Sequence, residues 1–400
     1  MSVTHLAAIG WSASPNAATA GQVAARLALT QLGRQRVQGA IVFASSWFEQ
    51  SQLLAGVSHV LQTDRVIGGS TAGEITPEGP TSHSCVVLAL AENGLALSVG
   101  SSIGIRHNPR LAGYSAAQQA LQHFTGRTRC GFIMFGDGLS TGYAEVVHGI
   151  QEVLGTSSLV TGGLMGDDLR FTMTSQYAAG HVLTEGLAGL LLGGACTMGV
   201  GIGHGFAPIG KPLRVTRASG NELFELNDQP ASRVYEDYFG PLLQAIEHER
   251  LSRRLIAYPL GIQLDRTGEF LLRHILGFGD DGRVLCTGEI PEGAWAQVMI
   301  GSKELALEAA EQAARAAMQP IDSPCFVLVF DSALRKRLLG SDAKQDIMRI
   351  RRVIGPMVPM VGCYTYGEQA PLGSPYPYGR SSIQSGSVLV IAVGHGGGGA

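Results

Sequence analysis

The chain has 400 residues, of which 45% are hydrophobic and only 15% are charged, so it can bury a large core in two or more domains. Its net charge of −3 gives no electrostatic reason to expect a nucleic acid or an anionic membrane as partner. No apolar run is long enough to span a bilayer, and the N-terminus lacks the regions of a secretory signal. We therefore expect a cytoplasmic protein without membrane insertion. Its six cysteines stand singly, without metal-ligand spacing, and we expect reduced thiols.

The predicted elements recur in the same order along the chain. Three segments each contain a helix, a buried strand, a second helix, a glycine motif and a further apolar strand. The helices are predicted over 18–32 and 50–61, then 115–124 and 143–154, then 303–318 and 344–354. The motifs read GGSTAGE at 68–74, GGLMGDD at 162–168 and GCYTYGE at 362–368. Recurrence of the flanking elements, and not only of a glycine motif, indicates internal duplication.

The spacing of the motifs predicts a degenerate fourth copy near residue 260. The fold class expected is α/β, a layered sandwich of central mixed β-sheets covered by outer helices. It is built from about four related repeat units in two halves. We place the halves at 1–220 and 221–394, and expect 395–400, which contain four glycines, to be a disordered tail.

The glycine motifs do not fit nucleotide binding. A phosphate loop needs a lysine after its glycines, and Glu74 stands there instead. A dinucleotide fingerprint needs a helix after the glycines, whereas Pro77 follows. Nucleophile-elbow, catalytic-triad and metal-ligand spacings are absent as well, so we expect no enzyme and no catalytic residues. An uncharacterised enzyme is the third hypothesis, behind two kinds of sensor.

Polar side chains collect at the motif turns. Hydroxyls beside acids can hold an amine or amide ligand, and buried polar groups must find partners. The predicted ligand-binding residues are Ser70, Thr71, Glu74, Asp137, Asp168, Arg335, Tyr364, Thr365 and Glu368. Two plainer explanations stay open: the glycines could serve only tight turns, and Asp137 could serve only as a helix N-cap.

An ordered set of motifs resembles the FIST proteins, with their N-terminal and C-terminal domains. The set reads VIGGSTAGEI, VTGGLMGDDLRF, GHGFAPIGKPLRVTRASGNELFELNDQPA and GCYTYGEQAPLG. The resemblance implies a sensory protein that binds small ligands such as amino acids. Arg335 matches a family arginine, but Asp331 and Ser332 stand where the family usually has a nearby cysteine.

The resemblance also implies a partner and a possible cofactor. No output domain is attached, so the protein is expected to signal to a separate partner such as a histidine kinase or a cyclase. A related group of FIST proteins is described as haem-binding sensors of nitric oxide. Haem is therefore the alternative cofactor, and His204, which lies between glycines, is the candidate axial ligand.

Overall fold

The computed structural model describes residues 6–92, 94–240, 255–263, 269–371 and 381–395. Three units share one element order: a strand, a helix, a central strand, one or more helices, a parallel strand, a two-stranded arm and a return strand. Unit 1 contains β1 (Ala7–Ser12), α1 (Ala17–Leu32), β2 (Val37–Ser45), α2 (Gln50–Leu61), β3 (Val66–Thr71), β4 (Glu74–Thr76), β5 (Gly79–Thr81) and β6 (Cys85–Ala91). Unit 2 contains β7 (Leu95–Ile103), α3 (Pro109–Gln122), β8 (Arg129–Asp137), α4 (Tyr143–Leu154), β9 (Val160–Met165), β10 (Gln176–Ala178), β11 (His181–Leu183) and β12 (Gly186–Gly194).

Unit 3 is interrupted after its first strand, β13 (Thr197–Gly203), by an insertion over 206–301. The insertion contains β14 (Phe206–Ser219), β15 (Glu222–Leu226), β16 (Gln229–Pro230), α5 (Ser232–Phe239), β17 (Leu260–Gln263), β18 (Phe270–Arg273), β19 (Ile275–Phe278), β20 (Val284–Cys286) and β21 (Trp295–Gly301). Unit 3 then continues with α6 (Lys303–Met318), β22 (Ser323–Ser332), α7 (Ala333–Leu339), α8 (Ala343–Ile354), β23 (Met360–Thr365), β24 (Gly367–Pro371), β25 (Ser381–Gln384) and β26 (Val388–His395).

Each unit supplies four strands of a six-stranded sheet, and the two-stranded arm of another unit supplies the other two. The orders are β1-β6-β2-β3-β10-β11, then β25-β24-β9-β8-β12-β7, then β13-β26-β22-β23-β4-β5. In every unit the central strand pairs in parallel with the strand that leads into the glycine motif. The arm after the motif leaves its own sheet, so unit 1 extends unit 3, unit 3 extends unit 2, and unit 2 extends unit 1. This cyclic exchange ties the three units together.

The inner faces of the three sheets enclose one apolar core. Phe43, Phe135 and Phe330 come from the matching central strands and contact one another there. Their ring centroids lie 5.7 to 6.1 Å apart, a distance at which aromatic rings attract beyond their buried area. The sequence repeat thus places one phenylalanine from each unit at the centre of the core.

The outer faces of the sheets are covered by alanine-faced helices. At the matching glycines Gly10, Gly100 and Gly201 of β1, β7 and β13, an added Cβ would lie about 2 Å from a helix carbonyl oxygen, at 1.9, 2.0 and 2.0 Å. Helix backbone and strand backbone therefore touch directly, which accounts for much of the glycine and alanine in the chain.

The insertion differs from the three units. All pairings among its described strands are antiparallel, and β14 and β17 lie on opposite sides of β21 instead of beside each other. The copy predicted near 260 therefore lacks the parallel strand pair that the other units share. Along β14, more buried residues alternate with more exposed ones, so one face of the strand is in contact with solvent. This pattern is typical of antiparallel sheets, whose strands are commonly joined by hairpins.

The predicted fold class, mixed α/β with mixed sheets and outer helices, is confirmed. The predicted helices are confirmed too, except that α3 begins earlier, at Pro109, after the N-cap Asn108. The boundary at 220 stays a prediction, and the sheet of unit 3 combines strands from both predicted halves. Residues 396–400 of the predicted tail lie outside the described residues. Within the described part, no helix is long and apolar enough to cross a membrane.

Candidate ligand-binding site

The three glycine motifs meet one another at a point that we call the motif junction, formed by residues 70–73, 164–168 and 364–366. Main-chain hydrogen bonds join them pairwise: Gly166 N–H to the Ser70 oxygen at 3.1 Å, Ala72 N–H to the Tyr364 oxygen at 2.9 Å, and Tyr366 N–H to the Leu164 oxygen at 2.9 Å. Five of the predicted residues lie in this junction: Ser70, Thr71, Asp168, Tyr364 and Thr365. The other four lie beside it, since Glu74 and Glu368 bond to its threonines, Asp137 pairs with Met165, and Arg335 bonds to Asp331, the strand partner of Tyr364.

Glu74 is fully buried at the junction, and all its partners are internal. The Thr71 hydroxyl donates to one carboxyl oxygen at 2.5 Å. The Ser84 hydroxyl and N–H donate to the other, at 2.6 and 3.1 Å. Burial raises the pKa of Glu74 to about 7, against the hydrogen bonds that lower it. This carboxyl group fixes the turn between β3 and β4.

Glu368 repeats that arrangement in unit 3. It accepts from the Thr365 hydroxyl at 2.7 Å and from the Ser387 hydroxyl and N–H at 2.6 and 3.2 Å. Burial raises its pKa to about 8. The two glutamates therefore hold equivalent turns.

Ser70 and Asp168 join units 1 and 2. Ser70 donates to the Gly166 oxygen at 2.7 Å and accepts from Ser175 N–H at 2.8 Å. Asp168 accepts from the hydroxyls of Ser45 and Ser46 at 2.7 and 2.8 Å. These contacts lock the exchanged arm of unit 2 onto unit 1.

Tyr364 lies buried at the same junction, with a cation above it. The Lys336 ammonium sits 4.5 Å from the Tyr364 ring centroid and donates to the Ala72 oxygen at 3.3 Å. The cation–π contact stabilises the packing of α7 against the motif of unit 3, and the hydrogen bond to Ala72 connects α7 to the motif of unit 1.

Arg335 is fully buried but already neutralised. Its guanidinium pairs with Asp331 at 2.8 Å and with Asp346 at 2.9 Å, and it also donates to the His204 oxygen at 3.2 Å. The two carboxylates raise the pKa of Arg335. With both charges supplied from inside the protein, Arg335 has no charge left over for an anionic ligand.

Asp137 is not the N-cap of α4, and its binding of a ligand stays a prediction. It is buried, and it accepts from Leu139 N–H at 3.1 Å and from the hydroxyls of Ser140 and Thr174. No side chain caps α4, whose N-cap position is Gly142. Asp137 instead fixes the turn from 137 to 142 that carries the start of α4.

A cavity of 130 Å³ opens beside that turn. It lies between the start of α4, residues 287–289 of the insertion and β25 of unit 3. Its lining includes Ser140, Thr141, Tyr143, Arg273, Glu289 and Ser385. We call it the Arg273 cavity. It combines hydroxyls, a buried cation and an exposed carboxylate, which is the mixture that a small polar ligand needs.

Arg273 is a buried cation without a buried counter-charge. Its side chain is 6% exposed, and it donates to the backbone oxygens of Glu289 at 2.8 Å and Leu272 at 2.9 Å. Within the described ranges it forms no ion pair with a carboxylate. Burial lowers its pKa to about 10, so it remains charged at neutral pH. A buried cation that only carbonyls satisfy is costly, and an anionic ligand would offset that cost.

The start of α4 adds positive potential to the same cavity. The N-terminus of a helix carries partial positive charge and free N–H groups, which favour anions. Gly142 and Tyr143 line the cavity, and the Tyr143 hydroxyl is turned away to the Asp137 carbonyl oxygen at 2.6 Å. Arg273 and α4 therefore both favour a carboxylate.

His204 lines a different cavity, of 480 Å³, and its ring does not fit the predicted haem ligation. Its Nδ1 accepts from Phe206 N–H at 3.0 Å, so the proton of the neutral ring is on Nε2. Binding iron through Nε2 requires a proton on Nδ1, which would then face the Phe206 N–H. Burial and the nearby Arg335 charge lower the pKa of His204 to about 4.

Sequence reasoning missed Arg273, although one signal was present. The residue interrupts the apolar run FLLRHILGF over 270–278. A charged side chain in a predicted buried strand needs a partner, and that need could have marked it.

Family models match two consecutive parts of the chain. The FIST N domain matches residues 38–229 and the FIST C domain matches residues 231–371. Two uncharacterised proteins of Mycobacterium tuberculosis, from strains CDC 1551 / Oshkosh and ATCC 25618 / H37Rv, are 30% identical over 226 residues. That match covers 53% of this chain and 56% of theirs, so it spans little more than half the length of these relatives.

Solved structures correct the expectation that the chain is not an enzyme. A cyanuric acid hydrolase matches with a TM-score of 0.35 and 10% identity over 98% of this chain and 100% of its own. A second, from A. caulinodans, matches with a TM-score of 0.34 and 11% identity over 97% of this chain and 99% of its own. Both are named as enzymes, so the prediction of a protein without enzymatic activity does not hold. At these scores the likeness assigns no reaction to this chain.

Proposed function

Because the chain belongs to the FIST family, whose domains are generally sensory and bind small ligands, we propose that it senses an amino-acid-like molecule in the Arg273 cavity. The observation that carries this proposal is the buried Arg273 guanidinium, which meets backbone oxygens and no carboxylate among the described residues. A ligand carboxylate supplies the opposite charge and can accept a charge-assisted hydrogen bond from the guanidinium.

The same cavity also offers a partner for the ammonium group of the ligand. Glu289 is exposed and lines the cavity beside Arg273, whose guanidinium donates to the Glu289 backbone oxygen. The Glu289 carboxylate can accept from an ammonium group, and Ser140 and Thr141 supply hydroxyls to the lining. A cavity that contains both a guanidinium and a carboxylate selects a zwitterion over a simple carboxylate.

The size of the cavity limits the ligand. Drug-sized ligands occupy pockets of about 300–1,000 Å³, and this cavity measures 130 Å³. A small α-amino acid is therefore favoured, and a nucleotide is disfavoured.

The position of the cavity suggests how binding is transmitted. The lining comes from unit 2, the insertion and β25 of unit 3, so a bound ligand contacts three segments at once. A ligand shifts a conformational equilibrium by its differential affinity for the two states. We propose that occupancy changes how the insertion seats on units 2 and 3, and that a separate protein, such as a histidine kinase or a cyclase, reads this change.

A thermal-shift screen tests the ligand class. The panel contains glycine, alanine, serine and glutamate, with acetate and propionate as carboxylates without an amine, and ethylamine as an amine without a carboxylate. We expect at least one amino acid to raise the melting temperature more than either simple carboxylate does, because ligands that bind the folded state stabilise it. Stabilisation by ethylamine alone, or by nothing in the panel, would overturn the proposal.

A further inference from the structure

Two thiols lie together on the side of unit 2 where the chain passes into unit 3. The sulfurs of Cys130 and Cys196 are 2.8 Å apart, and both residues are half-buried free cysteines. A disulfide bond measures about 2.05 Å, so the two sulfurs are close to bonding distance. Nothing in the proposed ligand site uses them.

Local backbone irregularity places the two sulfurs face to face. The pairing of β8 with β12 shifts register between Leu192 and Gly193, and Cys130 falls in this bulge, opposite no single partner. Three residues beyond Gly193, the Cys196 sulfur donates to the Gly193 carbonyl oxygen at 3.3 Å. The bulge and the following turn hold the pair in a fixed position.

The pair is reachable from outside the protein. Cys130 and Cys196 line an open cavity of 610 Å³ together with Arg127 and Arg129. Guanidinium groups stabilise a thiolate and attract an anionic reagent. The hydrogen bond from Cys130 lowers the pKa of Cys196, which marks Cys196 as the better nucleophile.

We propose that Cys130 and Cys196 form a redox-active pair that a low-molecular-weight disulfide such as oxidised glutathione converts to an intramolecular disulfide. The Cys196 thiolate attacks one sulfur of the reagent, forms a mixed disulfide and expels one glutathione thiolate. Cys130 loses its proton and attacks the Cys196 sulfur, which releases the second glutathione. The two cysteines are oxidised, one reagent disulfide is reduced to two thiols, and no other oxidant is needed.

The bond would link β8 of unit 2 to the connection between β12 and β13. It therefore ties unit 2 covalently to the start of unit 3, at two residues that do not line the Arg273 cavity. The modification is independent of whether that cavity binds an amino acid.

The test equilibrates the full chain with defined ratios of reduced to oxidised glutathione, then blocks free thiols and maps disulfide-linked peptides by mass spectrometry. Wild-type protein is expected to lose two free thiols and to yield a Cys130–Cys196 linkage without retained glutathione. Cys325→Ser is the matched control, because Cys325 is also half-buried and lies near Cys196. It is expected to form the same linkage as the wild type.

The Cys130→Ser variant gives a second measurement, because it removes the thiol that would attack the mixed disulfide on Cys196. Glutathione should then stay attached to Cys196. The proposal fails if no Cys130–Cys196 linkage forms under fully oxidising ratios, if Cys196 links to Cys325 instead, or if Cys130→Ser acquires no glutathione.

Discussion

Glu74 and Glu368 occupy equivalent positions in units 1 and 3, and each carboxyl group accepts from a threonine three residues before it and from a later serine. Each serine contributes both its hydroxyl and its N–H. Because the same three donor groups recur in both turns, each of these two glutamates is a structural element that closes its turn.

Glu74→Gln should flatten part of the pH dependence of stability. Glu74 keeps its proton to about pH 7 in the folded state, against a usual pKa of 4.5, so the folded state binds more protons than the unfolded state between these values. Stability contributed by this group is therefore present below about pH 4.5 and is lost as pH rises through 7. The loss is on the order of 3 kcal/mol by linkage. Urea unfolding at pH values from 5 to 8 measures it.

The exposed Glu78 is the control for that experiment, because Glu78→Gln changes the same charge on the same arm region. Its unfolding curves should follow the wild type across the range. Parallel pH profiles for wild type and Glu74→Gln would show that Glu74 ionises as freely in the folded protein as in the unfolded chain.

Gly68→Ala should destabilise the protein strongly. Gly68 has a φ of 140°, and an added Cβ would lie 1.9 Å from the Val42 oxygen on the neighbouring parallel strand. Steric overlap and backbone strain together cost roughly 3 kcal/mol or more. Gly155→Ala separates the two contributions, because Gly155 has a φ of 96° but nothing within 4 Å of the added Cβ. We expect about 1–2 kcal/mol there, measured by denaturant unfolding. Equal losses would rule out the steric explanation.

Asp346→Asn should expose the cost of losing one of two carboxylates that contact a buried arginine. Asp346 and Asp331 both pair with Arg335, and all three side chains are inaccessible to solvent. Asp331 still pairs with Arg335 in this variant, so the loss is that of charge-assisted hydrogen bonds to Asp346, about 1.5–3 kcal/mol. The exposed pair of Arg315 and Glu311 gives the comparison, since solvent and salt screen such a pair and Glu311→Gln should cost much less than Asp346→Asn. Similar unfolding free energies for the two variants would contradict the role given to Asp346.

The haem alternative has its own spectroscopic test. Because Phe206 N–H donates to Nδ1 of His204, we expect no Soret band that depends on His204 after the purified protein is mixed with haem. His204→Ala and wild type should give the same absorption spectrum. A Soret band present in wild type and absent from His204→Ala would restore haem as the sensed cofactor.

Local patterns in the sequence determine the elements more clearly than their arrangement. The helices over 50–61 and 143–154 follow directly from apolar periodicity between flanking strands, and the structure places them at these bounds. The exchanged arms are different, because β4 pairs with β23 almost 290 residues later, as in the contact of Glu74 with Cys363. No local preference encodes such a partner.

In the candidate site, too, some residues can be predicted from local sequence and others depend on long-range packing. Glu74, Asp168 and Glu368 were found because a repeated motif contains them, and repetition in the sequence reflects the repeated turn. Arg273 belongs to no repeat. What distinguishes it from Arg335 is the absence of a carboxylate partner within the described residues, and that depends on packing between the insertion and β25.

Isothermal titration calorimetry of wild type, Arg273→Gln and Arg283→Gln tests the proposed site most directly, with the amino acid that gives the largest thermal shift. Arg283 is the matched control, because it lies in the same insertion but is exposed and paired with Glu222 at 3.4 Å. A charge-assisted hydrogen bond contributes about 1.5–3 kcal/mol, so we expect Arg273→Gln to raise Kd about tenfold or more and Arg283→Gln to leave it unchanged. An unchanged Kd in Arg273→Gln, with its thermal unfolding still cooperative, would contradict ligand binding in the Arg273 cavity.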